Sequence, residues 1–208
     1  MMRLNHQYDY VPMIMTVVLF ALFSCPVVEA EQYTATSEIV GDSLSQVHGT
    51  LSVNQAAGDS NAQSNSRAIA VSQESGLAIA YTYDKQSVDM NQVTIPDVAV
   101  TRISDQAFGG AGGLISINQA SGAQNMQLNA FAMAMNITGE LSDASLAGTL
   151  ADAPVALPGS TVPSDTQRAA LIDSTAFTGA TGVVQINQAA GSGNVAFNRF
   201  EMSMRPTR

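Results

Sequence analysis

The chain has 208 residues; 46% are hydrophobic but only 6% aromatic, there is no Trp, and 12% are charged, so Asn, Gln, Ser, Thr and Gly supply most of the polarity. Much apolar content with so little charge excludes a fully disordered chain, and the length allows one domain or perhaps two. The formal net charge is −9 and Lys85 is the one lysine, which excludes the basic cluster that a nucleic-acid partner requires.

Residues 1–30 are expected to form a signal peptide. Arg3 precedes an apolar run from Val11 to Phe23, which Ser24, Cys25 and Pro26 end. Val28-Glu29-Ala30 then offers small residues at the two positions a signal peptidase reads. The run is about 13 residues, short of the roughly 18–20 that span a bilayer. An uncleaved anchor is one alternative. Lipidation of Cys25 is another, because Leu22-Phe23-Ser24-Cys25 loosely resembles the box before a lipidated cysteine. Cleavage after Ala30 removes the single Cys of the chain, so the exported protein would have no disulfide in an oxidising compartment.

After an N-terminal segment, residues 31–48, the chain repeats itself three times. Repeat one (residues 49–71) opens with GTLSVNQAAGDSNAQSNSRAIA, from Gly49 to Ala70. Repeat two (113–135) opens with GLISINQASGAQNMQLNAFAMA, from Gly113 to Ala134. Repeat three (182–204) opens with GVVQINQAAGSGNVAFNRFEMS, from Gly182 to Ser203. The copies align without gaps at offsets of 64 and 69 residues. Each reads as strand, turn, strand. Leu51, Val53 and Gln55 alternate with Ser52 and Asn54 before the turn, the period-two signature of a strand with one buried face. Gly58, Gly122 and Gly191 supply the backbone freedom of the turn.

Residues 72–112 and 136–181 are read as linkers. The first contains strand-like pieces from Leu77 to Tyr83 and around Val93 to Ile103. The second holds Pro154, Pro158 and Pro163, which interrupt helix and central strand alike. Residues 142–166 are therefore expected to be a flexible linker or surface loop, and Gln167 to Asp173 one short helical turn. The tail is 205–208. No obvious cap adjoins the first or third copy, and an uncapped repeat is a template for another molecule.

The fold class that follows is all-β: strand-turn-strand repeats stacking as a β-solenoid or as cross-β layers, with flexible linkers. When like units stack, equivalent residues lie about 4.7–4.8 Å apart and identical amides can bond in ladders. Four ladders are expected: Asn54, Asn118, Asn187; Gln55, Gln119, Gln188; Asn61, Asn125, Asn194; and Asn65, Asn129, Asn198. With Gly58, Gly122 and Gly191 these are the candidate stacking residues. The alternative is that the amides are ordinary turn and surface residues of a closed solenoid.

In these copies the chain resembles the Fap family of bacterial functional amyloid subunits, which carry a few Asn/Gln/Ala/Gly repeats separated by long linkers. The matching stretches are Val53 to Ser66, Ile117 to Asn129 and Ile186 to Asn198. It is more distantly similar to curli subunits, whose repeats follow one another closely. The resemblance implies export through an outer-membrane pore, self-association, contact with related fibre subunits and cross-β assembly in a biofilm matrix. Several Fap subunits end in a Cys-x-x-Cys pair and this chain has none, which leaves open whether it is a major, minor or nucleating subunit.

No catalytic constellation is apparent and no cofactor or metal is expected. His48 has Gly112 and Thr181 as its equivalents, too few partners for a metal site or triad. Gly109 to Gly113 lacks the Lys-Ser/Thr of a phosphate loop. Asp59 is replaced by Ala123 and Ser192, which argues against a repeated Ca²⁺ turn. The expected function is that of a secreted, non-enzymatic fibre subunit. The alternatives are a monomeric β-solenoid adhesin and a periplasmic accessory or nucleator of a related fibre.

Overall fold

Alternating apolar and small polar residues, broken by Gly-containing turns, carry most of the described residues into strands. The computed structural model describes residues 31–73, 77–88, 93–136, 142–150 (backbone only) and 166–204. The chain divides into two units, Met1–Glu31 and Gln32–Arg208, and the second is described here. The expected signal peptide with Cys25, residues 151–165 with their three prolines, Asp89 and the tail 205–208 lie outside the described residues.

Eleven strands follow in order: β1 Thr34–Ile39, β2 His48–Ala57, β3 Ala62–Ser72, β4 Ala78–Gln86, β5 Val98–Ile103, β6 Gly112–Ser121, β7 Met126–Asn136, β8 Ser142–Leu150, β9 Gln167–Ile172, β10 Thr181–Ala190 and β11 Val195–Met204. Among the described residues there is no helix. The fold is all-β, and every sheet is parallel. The first sheet has the order β1-β5-β9, the second β10-β6-β2, the third β11-β7-β3 and the fourth β4-β8. Each strand thus pairs with one 64 or 69 residues away in sequence, the same offsets that separate the copies. Asn118 lies between Asn54 and Asn187, and Asn129 between Asn65 and Asn198.

This topology decides where each turn leads and corrects three expectations. The strands on either side of each turn do not pair with one another; β6 enters the second sheet and β7 the third, so the turn carries the chain between layers. The segments read as linkers supply β4 and β5, where strand-like pieces were expected at 77–83 and 93–103, and also β8 and β9, so residues 142–150 are strand where a loop was expected. Residues 167–172 form β9, although their composition suits a helical turn, because they pair in register with β5. Finally, the strands of the central copy are covered on both faces. From Leu114 to Ala123 every residue is buried, as is every residue from Asn125 to Ala132.

Opposite faces of the second sheet meet different neighbours. Ile115 and Ile117 join Ile39, Ile103, Ala107, Phe108, Ala111 and Ala176 in the main apolar cluster against the first sheet. Alternate residues, Asn118 among them, turn to the third sheet, where Asn118 Nδ2 meets the Ser64 carbonyl at 2.7 Å. The third and fourth sheets close on Ala78, Ala80, Ala132 and Ala134. Alanine in these places lets two sheets approach with little side-chain volume between them, and Gln86 Nε2 reaches the Gln127 carbonyl at 2.9 Å. The alanine-rich, aromatic-poor composition thus produces thin layers.

Candidate functional site

The side chains singled out in sequence form four rows across the copies. Asn118 Nδ2 donates to Asn54 Oδ1 and Asn187 Nδ2 donates to Asn118 Oδ1, each at 3.0 Å. Gln119 Nε2 donates to Gln55 Oε1 at 3.2 Å, and Gln188 Nε2 to Gln119 Oε1 at 2.9 Å. Asn125 donates to Asn61 and Asn194 to Asn125, both at 2.8 Å. Asn129 donates to Asn65 at 2.9 Å, and Asn198 to Asn129 at 3.0 Å. In all four rows the amide nitrogen of the later copy points to the oxygen of the earlier one, so the rows have a direction.

The rows are also tied to the backbone. Asn129 Nδ2 meets the Ile117 carbonyl and Asn118 Oδ1, both at 3.0 Å, which knits the second sheet to the third. Gln119 Nε2 meets the carbonyls of Ser37 and Arg102, which knits the second to the first. Asn118, Gln119, Asn125 and Asn129 are at most 1% exposed. A buried amide without partners costs about 1–3 kcal/mol per group. Satisfied on both sides, these residues instead specify register, because a one-residue slip would take each amide out of line with its identical partner and turn it to the other face of the sheet.

Turn glycines fix how closely the copies approach. Gly122 has φ +118°, a conformation that L side chains rarely adopt, and a Cβ there would stand 1.9 Å from the Gly191 carbonyl oxygen. The Gly191 amide donates to the Ser121 carbonyl at 2.8 Å, and that of Gly122 to Ala57 at 2.9 Å.

Three features escaped the sequence reading. Gln63 Nε2 donates to Gln127 Oε1 at 2.8 Å, a row that stops at Ala196 in the third copy. Phe108 and Phe177 stack with ring centroids 4.8 Å apart, and Leu44 stands in line with them; the matching Ala-Phe pairs upstream of the later copies were the available signal. Phe131 stacks on Phe200 at 5.1 Å, while the first copy places Arg67 in that column. Arg67 reaches the Leu51 carbonyl. Its Nε has no hydrogen-bond partner among the described residues, and burial pushes its guanidinium below the ordinary value. Asp84, outside the copies, accepts hydrogen bonds from the Ser64 and Ser66 hydroxyls. His48 is exposed and pairs in register with Gly112. Among the described residues, no three of His, Cys, Asp or Glu converge as a metal site would need.

These observations define an all-β repeat protein whose copies lie in parallel register, joined by rows of identical amides. A model of the functional amyloid protein FapB/FapC family matches residues 25–205, which include all three copies. The chain belongs to that family, and it is a Fap-type functional amyloid subunit. No solved structure matches it.

Proposed function

We propose that the protein is a secreted, non-enzymatic subunit of an extracellular fibre in a biofilm matrix, and that it assembles through the Asn and Gln rows. The four sheets are then the sides of a three-rung β-solenoid, and the fibre is its continuation from chain to chain. The observation that carries this reading is the likeness of the two ends. β2 and β3 of the first copy and β10 and β11 of the third are edge strands, and they carry the same Asn-Gln-Ala core at the same positions. A third copy can therefore receive the first copy of another chain as the second receives the third. Such a head-to-tail contact does not close on itself, so it generates an open filament.

The direction of the rows sets the chemistry of that contact. Asn54, Gln55, Asn61 and Asn65 of the incoming chain donate to the oxygens of Asn187, Gln188, Asn194 and Asn198. Growth is thus polar. Export by the segment 1–30, passage through an outer-membrane pore and contact with related subunits belong to this proposal. Residues 31–208, diluted from denaturant, are expected to give fibres with reflections near 4.7 Å along the axis and about 10 Å across it. A persistent soluble monomer would overturn the proposal.

One observation favours a second reading, that of a surface adhesin. Ile79, Tyr81 and Tyr83 form an exposed row on the outer face of β4, within residues 72–104, which would carry the binding surface in that case. A soluble monomer that loses surface binding when residues 72–104 are replaced would favour it.

A further inference from the structure

Copies two and three each end in a Met-x-Met pair, Met133-Ala134-Met135 and Met202-Ser203-Met204. The pairs lie side by side on parallel strands, Met133 in register with Met202 and Met135 with Met204. Side chains two residues apart point to the same face, and partnered strands are about 4.8 Å apart. Four thioethers therefore share one small patch. Met133, Met135 and Met202 are half-buried and Met204 is 44% exposed, so the patch is within reach of solvent.

Packing alone does not call for sulfur here. The first copy fills the same two positions with Ile69 and Val71, which are 54% and 48% exposed. Beyond residue 30 the chain has six methionines, and four of them are in this patch. The same stretch has no Cys and one His, His48, so few soft or borderline donors compete with the thioethers.

We infer that Met133, Met135, Met202 and Met204 form a thioether site for a soft monovalent d¹⁰ cation, Cu(I) or its analogue Ag(I). Thioethers select such cations over Zn²⁺, Ca²⁺ or Mg²⁺. They are also neutral, so binding releases no proton and does not weaken in acid, unlike binding at histidine or thiolate. The site needs only the register of copies two and three within one chain, and it stands whether or not the chain forms fibres.

The test uses residues 31–208 labelled with ¹³C at the methionine methyl groups and titrated with Ag(I), a redox-stable probe. The expected result is a joint shift of the Met133, Met135, Met202 and Met204 methyls, complete at about one Ag(I) per chain and unchanged at about pH 5, where histidine is protonated. The fully buried Met126 stays unshifted. Replacing Met202→Ile with Met204→Val, which copies the pair of the first copy, is expected to weaken Ag(I) retention against free methionine about tenfold or more, about 1.4 kcal/mol per decade. The same variant should keep the β signature of the parent, and His48→Gln should retain Ag(I) fully. No shift at equimolar Ag(I), an equal shift of Met126, release in acid, or full retention by the Ile/Val variant would each overturn the assignment.

Discussion

Asn187 donates from Nδ2 to Oδ1 of Asn118 at 3.0 Å, although 69 residues separate the two. The same nitrogen lies 2.9 Å from the Leu128 carbonyl. One side chain thus joins two copies along the second sheet and ties that sheet to the third.

The position of Asn118 within its row makes it the most costly amide to lose. Its nitrogen serves Asn54 and the Ser64 carbonyl, while its oxygen receives Asn129 and Asn187. Asn118→Ala strands several of these groups in a buried place. The expected loss is about 2–4 kcal/mol, from unsatisfied groups at about 1–3 kcal/mol each. Asn54→Ala, at an exposed position of the edge strand β2, should cost less than half as much. Guanidinium midpoints of the two variants measure the difference, and equal midpoints would contradict the row geometry.

Gly49 is the position at which folding and the proposed end-to-end growth can be told apart. A Cβ at Gly113 would stand 2.1 Å from the Gly49 oxygen, and a Cβ at Gly182 the same distance from the Gly113 oxygen. At Gly49 nothing among the described residues lies within 4 Å. In a head-to-tail fibre that Cβ would meet the Gly182 oxygen of the neighbouring chain. Gly49→Ala is therefore expected to slow seeded elongation at least about tenfold. Gly41→Ala, which also has positive φ and open space, controls for backbone strain of about 1–3 kcal/mol. Equal elongation by the two variants would count against the proposed contact.

Arg67 is the misfit of its column. Phe131 and Phe200 stack beside it, and burial lowers its pKa. With the folded pKa below the unfolded one, the charged form is the disfavoured one. That cost is fully present below the folded pKa and fades as pH rises through it. Arg67→Phe should extend the aromatic column and raise stability by about 0.5–1.5 kcal/mol near neutral pH. A lower guanidinium midpoint for the variant would show that the bond to the Leu51 carbonyl matters more.

Phe108 is fully buried in the main apolar cluster and stacks on Phe177. Phe108→Ala is expected to cost about 3–5 kcal/mol. Leu44→Ala, at the half-buried end of the same row, should cost markedly less. Thermal or guanidinium unfolding of both variants tests the ranking.

By itself the sequence determined the three copies, the turn glycines and the four amide rows, because a gapless repeat forces equivalent residues into equivalent places. It also marked the strand pieces at 77–83 and 93–103, where alternation is local. The sequence left unread that β6 and β7 belong to different sheets, since a strand-turn-strand pattern is the same for a hairpin and for a turn between layers. The helix-compatible residues of β9 became strand only because β5, about 70 residues earlier, offers them an edge. Nor does any local signal tell that both faces of the central copy are covered, for its polar alternates look solvent-facing until the third sheet lies over them. Parallel pairing joins residues 64 or 69 apart in sequence, and at that separation only the tertiary structure decides which edge meets which, because the choice rests on the burial of whole faces at once.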